Sequence, residues 1–347
     1  MRRRVLVARL DSAGDVLLCG PAVRAIAADA EVLLLSGPQG APAAALLPGP
    51  SSVRTWWCPW IGDASRPVDA ELVDELRAIV EEFAPDEAVI LTSFHQSPLP
   101  LALLLRLAGV ARITGASVDF AGALLDVRLV PGETLEEDQP EPERALAIAA
   151  AAGFALPAGD DGRLRVRREG VLPAALEGIG PYSVVHPGAA VPARAWPAAN
   201  AARAVELLAD AGLAVVVTGG PGERSLTAEV AGSRGIDLGG ATDFAGAAEV
   251  LAGADVVICG NTGPAHLAAA VGTPVVSLFA PVVPAVRWAP YGVPVALLGD
   301  QEAPCAGSRA RVCPVPGHPC LAGVSAAEAV AAALRLRPTT SPREAIA

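Results

Sequence analysis

The sequence has no lysine: all 26 basic residues in its 347 are arginine. Any site that other proteins build with lysine must use arginine here, and the planar guanidinium pairs with anions in a different geometry. Only six cysteines are present, which excludes a small disulfide scaffold for a chain of this length. Basic residues are fewer than acidic ones, 26 against 37, which gives a formal net charge of −11. Because no basic stripe is visible, we exclude a nucleic-acid-binding surface.

Long apolar runs are also absent. Residues 256–286 carry no formal charge, but prolines and glycines divide them into pieces too short to span a membrane. Near the amino terminus, Arg9, Asp11 and Asp15 interrupt the apolar region that a secretion signal would need. We therefore predict a soluble, cytoplasmic protein with no nucleic-acid partner and at most peripheral contact with a membrane.

Short apolar runs, in contrast, recur along the whole chain. They occupy residues 5–10, 32–35, 88–91, 183–185, 214–218, 255–258, 275–279 and 295–298. Each run is too short for a helix, and amphipathic or alanine-rich stretches such as 68–83 and 198–211 lie between them. Short buried strands that alternate with helices predict an α/β fold with parallel sheets.

The alternation weakens between about 131 and 182, where Pro, Gly and Asp are frequent. Such a stretch is typical of a domain boundary, and the chain is too long for one ordinary core. We predict two Rossmann-like domains, 1–157 and 158–330, with a cleft between them. Residues 331–347 are predicted to be the end of a last helix and a frayed tail.

The first candidate site follows the first predicted strand. Residues 9–15 read Arg-Leu-Asp-Ser-Ala-Gly-Asp, a polar turn between a strand and a helix. Open α/β sheets bind ligands at the carboxyl ends of their strands, so Ser12, Gly14 and Asp15 are candidate functional residues. Two interpretations of Asp15 stay open here: a carboxylate that takes part in chemistry, or a residue that only caps the helix.

Two further turns of this kind follow strands of the second half. Residues 186–188 read His-Pro-Gly, and Arg194 in the same loop is either a phosphate partner or a solvated charge. Residues 218–224 read Thr-Gly-Gly-Pro-Gly-Glu-Arg. The glycines permit a nucleotide to approach the backbone, and Glu223 either accepts from ribose hydroxyls or complements the helix dipole.

The fourth turn leads directly into a helix. Residues 259–267 read Cys-Gly-Asn-Thr-Gly-Pro-Ala-His-Leu, with a proline that suits the first helical turn. Free N–H groups at such a helix start bind anions. His266 falls within that turn, and it either faces the same site or belongs to the core.

Together and in this order, the four segments resemble glycosyltransferase family 9, the ADP-heptose:lipopolysaccharide heptosyltransferase family. Residues 9–18 resemble its amino-terminal Arg-Leu-Ser-Ser-x-Gly-Asp-Val-Leu signature, and residues 186–197 resemble its Pro-Gly…Lys-x-Trp-Pro segment. Residues 219–223 resemble its Gly-Gly-x-x-Glu turn, and residues 261–266 its Asp-Ser/Thr-Gly-Pro-x-His motif. The similarity extends over roughly residues 4–335.

The resemblance implies a GT-B fold and an inverting, metal-independent glycosyltransferase without a cofactor. The enzyme would move a heptose-like sugar from an ADP-sugar to a saccharide or glycolipid acceptor in cell-envelope biosynthesis of the lipopolysaccharide core type. Asp15 would be the general base, with Ser12 and Gly14 on the acceptor side. Arg194 would replace the family's lysine at the diphosphate, and Glu223 would contact ribose. The implied donor-binding set is Gly188, Arg194, Glu223, Asn261, Thr262, Gly263 and His266.

Besides the arginine at position 194 in place of the family's lysine, two departures from the family pattern bear on function. Asn261 stands where the family has aspartate, and Asp11 stands where it has a small polar residue. Two alternatives therefore stay open: a non-catalytic relative that binds nucleotide-sugars, and a nucleotide-sugar epimerase on the same fold.

A proline- and glycine-rich loop near the carboxyl terminus contains three cysteines and a histidine. These residues are Cys305, Cys313, His318 and Cys320. Their types suit a tetrahedral zinc site, but the spacing lacks a close Cys-x₂-Cys pair. We assign no metal, and zinc binding, a disulfide and simple loop packing all stay open.

Overall fold

The computed structural model describes residues 2–61 and 66–337. The chain divides into two units, Met1–Arg167 and Arg168–Ala347, each built around its own parallel sheet. The strands are β1 (Arg3–Arg9), β2 (Ala30–Ser36), β3 (Ser52–Thr55), β4 (Glu87–Ile90), β5 (Arg112–Ala116), β6 (Val127–Leu129), β7 (Tyr182–His186), β8 (Ala214–Gly219), β9 (Ile236–Gly239), β10 (Ala254–Gly260), β11 (Val275–Leu278) and β12 (Val295–Leu298). The prediction of an α/β fold with two Rossmann-like halves is confirmed.

Helices connect these strands in both units. They are α1 (Ala13–Leu18), α2 (Gly20–Asp29), α3 (Ala41–Leu46), α4 (Ala70–Phe83), α5 (Leu99–Leu107), α6 (Glu141–Ala151), α7 (Ala198–Asp210), α8 (Arg224–Ala231), α9 (Phe244–Ala252), α10 (Gly263–Ala270), α11 (Ala285–Trp288), α12 (Pro319–Ala322) and α13 (Ala326–Leu336). Short 3₁₀ turns lie at Gly122–Leu124, Ala174–Leu176, Pro192–Arg194 and Pro221–Glu223. Among residues 2–61 and 66–337, no helix has the length and apolar character needed to cross a membrane.

The sheet of the amino-terminal unit has the strand order β3-β2-β1-β4-β5-β6. This is the 3-2-1-4-5-6 order of doubly wound Rossmann folds. The order reverses between β1 and β4, where Ala8 pairs with Ile90. The carboxyl ends of these two strands therefore form the topological switch point, at which folds of this kind bind ligands.

The sheet of the carboxyl-terminal unit repeats this topology, with the order β12-β11-β10-β7-β8-β9. Its order reverses between β7 and β10, where His186 pairs with Cys259. The turns that follow these two strands are neighbours in space although they lie far apart in the sequence. They form the switch point of this unit.

Strands at the switch points are deeply buried. All seven positions of β10 and the last five positions of β1 are buried. Parallel strands that are covered on both faces are continuously apolar, which explains why the sequence pattern identified them. Polar residues follow where each of these strands ends, and there the candidate sites lie.

The units divide at Arg167/Arg168, whereas the sequence predicted a boundary at 157/158. The difference arises because the intervening segment is attached to the amino-terminal unit. Arg24 on α2 donates to both carboxylate oxygens of Asp160, at 2.6 and 2.8 Å, and this holds the pKa of Asp160 down at about 2. The N–H of Arg167 donates to the carbonyl of Leu46 at 2.8 Å. The last predicted segment, 331–347, begins within α13, and its residues 338–347 lie outside the described part of the chain.

All six cysteines are free, so the structure does not support the disulfide alternative. Cys305 and Cys320 pack into the core of the carboxyl-terminal unit. His318 Nε2 lies 3.1 Å from the carbonyl oxygen of Ala193. Within the described ranges, no group of three or more His, Cys, Asp or Glu side chains is arranged to hold a metal ion. Of the three interpretations of this loop, packing is the one that these contacts favour.

Candidate functional site

The polar turn after β1 is organised around the guanidinium of Arg9, which is only 2% exposed. Its Nε donates to Asp11 Oδ1 at 2.6 Å, and its Nη2 donates to Asp15 Oδ1 at 3.1 Å. The same Nη2 donates to the hydroxyl of Ser93, which follows β4, at 2.7 Å. Glu141 Oε2 lies 4.0 Å from Nη1. One buried cation is therefore shared among three carboxylates at the switch point.

Asp15 lies in the first turn of α1 and is held through both carboxylate oxygens. While Oδ1 accepts from Arg9, Oδ2 accepts from the Ser12 hydroxyl at 2.6 Å. Ser12 is the N-cap residue of α1, and Gly14 is buried in the same turn. The side chain of Asp15 keeps 21% of its surface exposed. Because Ser12 caps the helix, the carboxylate of Asp15 is oriented and partly accessible rather than occupied in capping.

Asp11 has a raised pKa in this cluster. Burial raises its pKa to about 6, against the opposing attraction of Arg9, and the neighbouring carboxylate of Asp15 adds to the rise. Burial opposes the charge of Arg9 too, but the surrounding carboxylates hold the pKa of Arg9 above its ordinary value. The cluster therefore keeps its cation, and Asp11 takes up a proton in mildly acidic solution.

The sequence interpretation missed the polar residues that follow β4. Ser93 Oγ donates to Asp11 Oδ2 at 3.1 Å, and Gln96 Nε2 donates to the same oxygen at 3.2 Å. The N–H of Ser93 also donates to Gln96 Oε1 at 3.1 Å. A change from apolar to polar residues after the run 88–91 was the available signal. Only the strand order, however, places the end of β4 beside the end of β1.

In the carboxyl-terminal unit, the carboxylate of Glu223 lies directly against Gly188. A Cβ atom on Gly188 would lie 1.9 Å from Glu223 Oε1, so a side chain at this position would displace the Glu223 carboxylate. The N–H of Gly220 donates to Glu223 Oε2 at 2.7 Å. The turns after β7 and β8 thus hold one carboxylate in a fixed place at the carboxyl edge of the sheet.

His186, the last residue of β7, contacts the same group. Its Nε2 lies 4.0 Å from Glu223 Oε2, and its Nδ1 lies 3.0 Å from Thr218 Oγ1. Burial lowers the pKa of His186, although Glu223 opposes this shift. The imidazole is therefore neutral at pH 7, and it supports Glu223 without adding a positive charge.

Arg194 lies beside the turn that follows β10. Its Nη1 donates to the backbone carbonyl of Asn261 at 3.4 Å. Its own carbonyl oxygen lies so close to Gly260 that a Cβ there would come within 2.9 Å. The loop after β7 and the turn after β10 are therefore in contact, and the half-buried guanidinium lies next to the start of α10.

The side chain of Asn261 pairs with the backbone of Ala280, which follows β11. Its Nδ2 donates to the Ala280 carbonyl at 3.3 Å, and its Oδ1 accepts from the Ala280 N–H at 3.2 Å. The residue is only 3% exposed. A carboxylate could accept from the N–H but could not donate to the carbonyl. Asn261, which departs from the family pattern, thus joins the turns after β10 and β11 through its amide. A direct contact of this residue with a sugar stays a prediction.

The start of α10 offers backbone N–H groups to a ligand. Thr262 is the N-cap residue, but its hydroxyl lies 3.4 Å from the carbonyl of Gly260 and does not cap the helix. Gly263 begins the helix close to Asn261, whose carbonyl accepts from Arg194. His266 is buried one turn further along the helix. A helix start of this kind carries a partial positive charge and favours anions.

The structure thus brings the predicted residues together in two places, one in each unit. In the amino-terminal unit, Ser12, Gly14 and Asp15 lie at the switch point between β1 and β4. In the carboxyl-terminal unit, the other seven lie in the turns after β7, β8 and β10: Gly188, Arg194, Glu223, Asn261, Thr262, Gly263 and His266. The first place offers an oriented carboxylate, and the second combines a cation and a helix start with a fixed carboxylate. The second arrangement can bind a diphosphate and a hydroxyl-bearing sugar.

Comparison with known proteins gives a family for this chain. Residues 95–318 match the model of glycosyltransferase family 9 (heptosyltransferase). No protein of curated function matches the chain in sequence.

Three solved structures share the fold of this chain. A family 9 glycosyl transferase from Veillonella parvula has a TM-score of 0.76 at 15% identity, covering 96% of this chain and 97% of that one. The ADP-heptose lps heptosyltransferase II of E. coli has a TM-score of 0.65 at 20% identity, covering 96% and 98%. E. coli heptosyltransferase WaaC with ADP has a TM-score of 0.68 at 21% identity, covering 88% and 97%.

Replacing Asp11 by asparagine should change how stability depends on pH. A carboxyl whose pKa is raised in the folded state stabilises the fold below its unfolded value, and this contribution is lost as the pH rises through about 6. Between about pH 4 and pH 7, we expect the native protein to lose about 1–3 kcal/mol relative to Asp11→Asn. Denaturant unfolding across this range measures the difference. Asp29→Asn, at an exposed carboxylate, is the control, and parallel curves for Asp11→Asn and the native protein would contradict the assignment.

Replacing Asn261 by aspartate should destabilise the protein at alkaline pH. The ionised carboxylate cannot donate to the Ala280 carbonyl, although the nearby start of α10 offsets part of the cost. We expect a net loss of about 1–2 kcal/mol at pH 8. At pH 4 the loss should shrink, because a protonated carboxyl can donate again. Thermal unfolding at both pH values tests this, and an equal effect at pH 4 and pH 8 would speak against the pairing.

Proposed function

The chain belongs to glycosyltransferase family 9, and from that premise we propose that it transfers a heptose-like sugar from an ADP-sugar to a saccharide or glycolipid acceptor. The observation that carries the proposal is the cation, helix start and fixed carboxylate gathered at the switch point of the carboxyl-terminal unit. We place the reaction in the cytoplasm, in cell-envelope glycan biosynthesis of the lipopolysaccharide core type. The E. coli structure with ADP supports an adenine nucleotide as the donor's leaving group.

We assign the diphosphate to Arg194 and the start of α10. The guanidinium supplies a fork of N–H donors that matches phosphate oxygens, and the backbone at Thr262 and Gly263 adds a partial positive charge. As the bond to the diphosphate breaks, negative charge grows on the leaving group. Donors that are already in place stabilise this charge without a metal ion, which is the metal-independent route that we propose.

We assign ribose recognition to Glu223. Its carboxylate accepts from the N–H of Gly220 and lies against Gly188, and these two backbone contacts hold it in one position. Carboxylate oxygens accept hydrogen bonds from vicinal hydroxyls. His266 completes this set on the first turn of α10. Asn261 holds the loop in shape through Ala280, and its backbone carbonyl contacts Arg194.

We assign the general base to Asp15. The acceptor hydroxyl oxygen attacks the anomeric carbon while the carbon–oxygen bond to the diphosphate breaks, and Asp15 takes the hydroxyl proton. A single displacement of this kind inverts the anomeric configuration. Arg9 and Ser12 orient the carboxylate, with Gly14 in the same turn, so that one face of the acceptor site carries the base.

Removing the cation at Arg194 should weaken nucleotide binding. Charge-assisted hydrogen bonds contribute about 1.5–3 kcal/mol, so we expect the Kd for ADP to rise roughly 10- to 100-fold in Arg194→Ala. Ligand-induced thermal shifts without added metal measure this. Arg203→Ala removes an exposed arginine on α7 as the matched control. If UDP or GDP stabilises the native protein and ADP does not, the assignment of the donor is wrong.

Removing the base should abolish turnover and spare donor binding. We expect Asp15→Asn to release ADP from ADP-heptose roughly 10²- to 10⁴-fold more slowly than the native protein, with its ADP-induced thermal shift unchanged. The acceptor probe is a glycolipid extract of bacterial envelopes, the buffer contains EDTA, and Asp29→Asn is the control. Donor binding without any turnover in the native protein would identify a binding relative. Isomerisation of the nucleotide-sugar without acceptor would identify an epimerase.

A further inference from the structure

The amino-terminal unit contains a cavity of about 230 Å³ that none of the predicted site residues lines. It lies beyond the carboxyl ends of β4 and β5, in the loops that follow these strands. Its lining residues are Phe94, His95, Gln96, Ser97, Ala116, Ser117, Val118, Asp119, Pro131 and Arg144. In a doubly wound fold, this edge of the sheet is where ligands bind.

One wall of the cavity is bonded to the cluster that holds the base. Gln96 lines the cavity and donates to Asp11 Oδ2 at 3.2 Å. Asp11 in turn accepts from Arg9, which also donates to Asp15. Two side chains, those of Asp11 and Arg9, thus connect the cavity wall to the carboxylate of Asp15. A ligand in the cavity would therefore be linked to the proposed base through these two side chains.

The polar groups of the lining suit hydroxyl-bearing ligands. Gln96 keeps one amide N–H beyond the one that it donates to Asp11, Ser97 presents a hydroxyl, and Asp119 presents a carboxylate that accepts from hydroxyl donors. The rings of Phe94 and His95 meet edge to face at 5.2 Å and add an apolar surface. Hydroxyl partners combined with an aromatic surface match the two kinds of surface that a sugar ring exposes.

The charges of the lining leave a net negative charge at the rim, which argues against an acidic ligand. Its arginine, Arg144, is 2% exposed and donates to Glu137 at 2.9 Å and to the carbonyl of Thr92 at 2.7 Å. Its charge is therefore neutralised by a neighbour. Asp119 adds a negative charge at the exposed rim, which would repel a carboxylate or phosphate.

The size of the cavity limits the ligand to one small group. Sites for drug-sized molecules occupy roughly 300–1,000 Å³, and this cavity is smaller. We propose that it is an acceptor subsite for a single uncharged sugar ring, which it holds through Gln96, Ser97 and Asp119 at the same edge of the sheet that carries the base. This inference rests on the proposed function, because it assigns the acceptor of that reaction.

The test fills the cavity and measures sugar binding to the whole protein. Saturation-transfer NMR with methyl α-glucoside, α-mannoside and α-galactoside should detect binding of at least one of them, and binding of methyl glucuronide should be weaker. Asp119→Trp and Val118→Trp both place an indole at the exposed rim, and each should weaken the binding at least tenfold. Glu81→Trp replaces an exposed carboxylate on α4 and should bind as the native protein does.

Three results would overturn the inference: no binding of any neutral glycoside to the native protein, unchanged binding in both filled variants, or tighter binding of the glucuronide. The ADP-induced thermal shift is measured on the same samples. It reports on the carboxyl-terminal unit and on correct folding of each variant. A native protein that binds the glycosides but not ADP would count against the proposed donor and leave the subsite standing. One that binds ADP but no neutral glycoside would do the opposite.

Discussion

The functional geometry of this protein depends on the parallel direction of its strands. Parallel strands have their carboxyl ends at one edge of the sheet, and the reversal of strand order at β1/β4 and β7/β10 opens a place there for side chains. The chain fills both places with short polar turns that begin helices. Because both units use the same strand order, one folding rule places the proposed base in one unit and the proposed diphosphate contacts in the other.

The charged side chains at the two switch points determine which kind of ligand each one favours. Arg9 is surrounded by Asp11, Asp15 and Glu141, so the amino-terminal cluster has an excess of carboxylates around one cation. Such a cluster favours proton transfer and repels an anionic ligand. The carboxyl-terminal place has the opposite balance near α10, where Arg194 and the helix start attract an anion. These two electrostatic environments suit the two partners of a glycosyl transfer, a hydroxyl-bearing acceptor and a diphosphate-bearing donor.

The departures from the family pattern have physical explanations in this chain. Since lysine is absent, the cation beside the helix start is an arginine, and its donor fork lies against the carbonyl of Asn261. Asn261 itself pairs in both directions with Ala280, which an aspartate could not do. Asp11, where the family has a small polar residue, bonds to Ser93 and Gln96 and thereby links the end of β4 to the base. The substitutions thus alter how the site is supported.

The sequence by itself determined the α/β class, the two halves, the family and the four turns that carry the candidate residues, because buried parallel strands and glycine-containing turns leave a local signature. It did not identify Ser93 and Gln96, since only the strand order brings β4 beside β1. It also placed residues 158–167 in the second half, because the pairing of Asp160 with Arg24 joins positions that no local pattern relates. The raised pKa of Asp11 and the cavity beyond β4 and β5 likewise arise from packing between distant segments. Tertiary structure decided these features because burial and hydrogen-bond partners are properties of the folded chain.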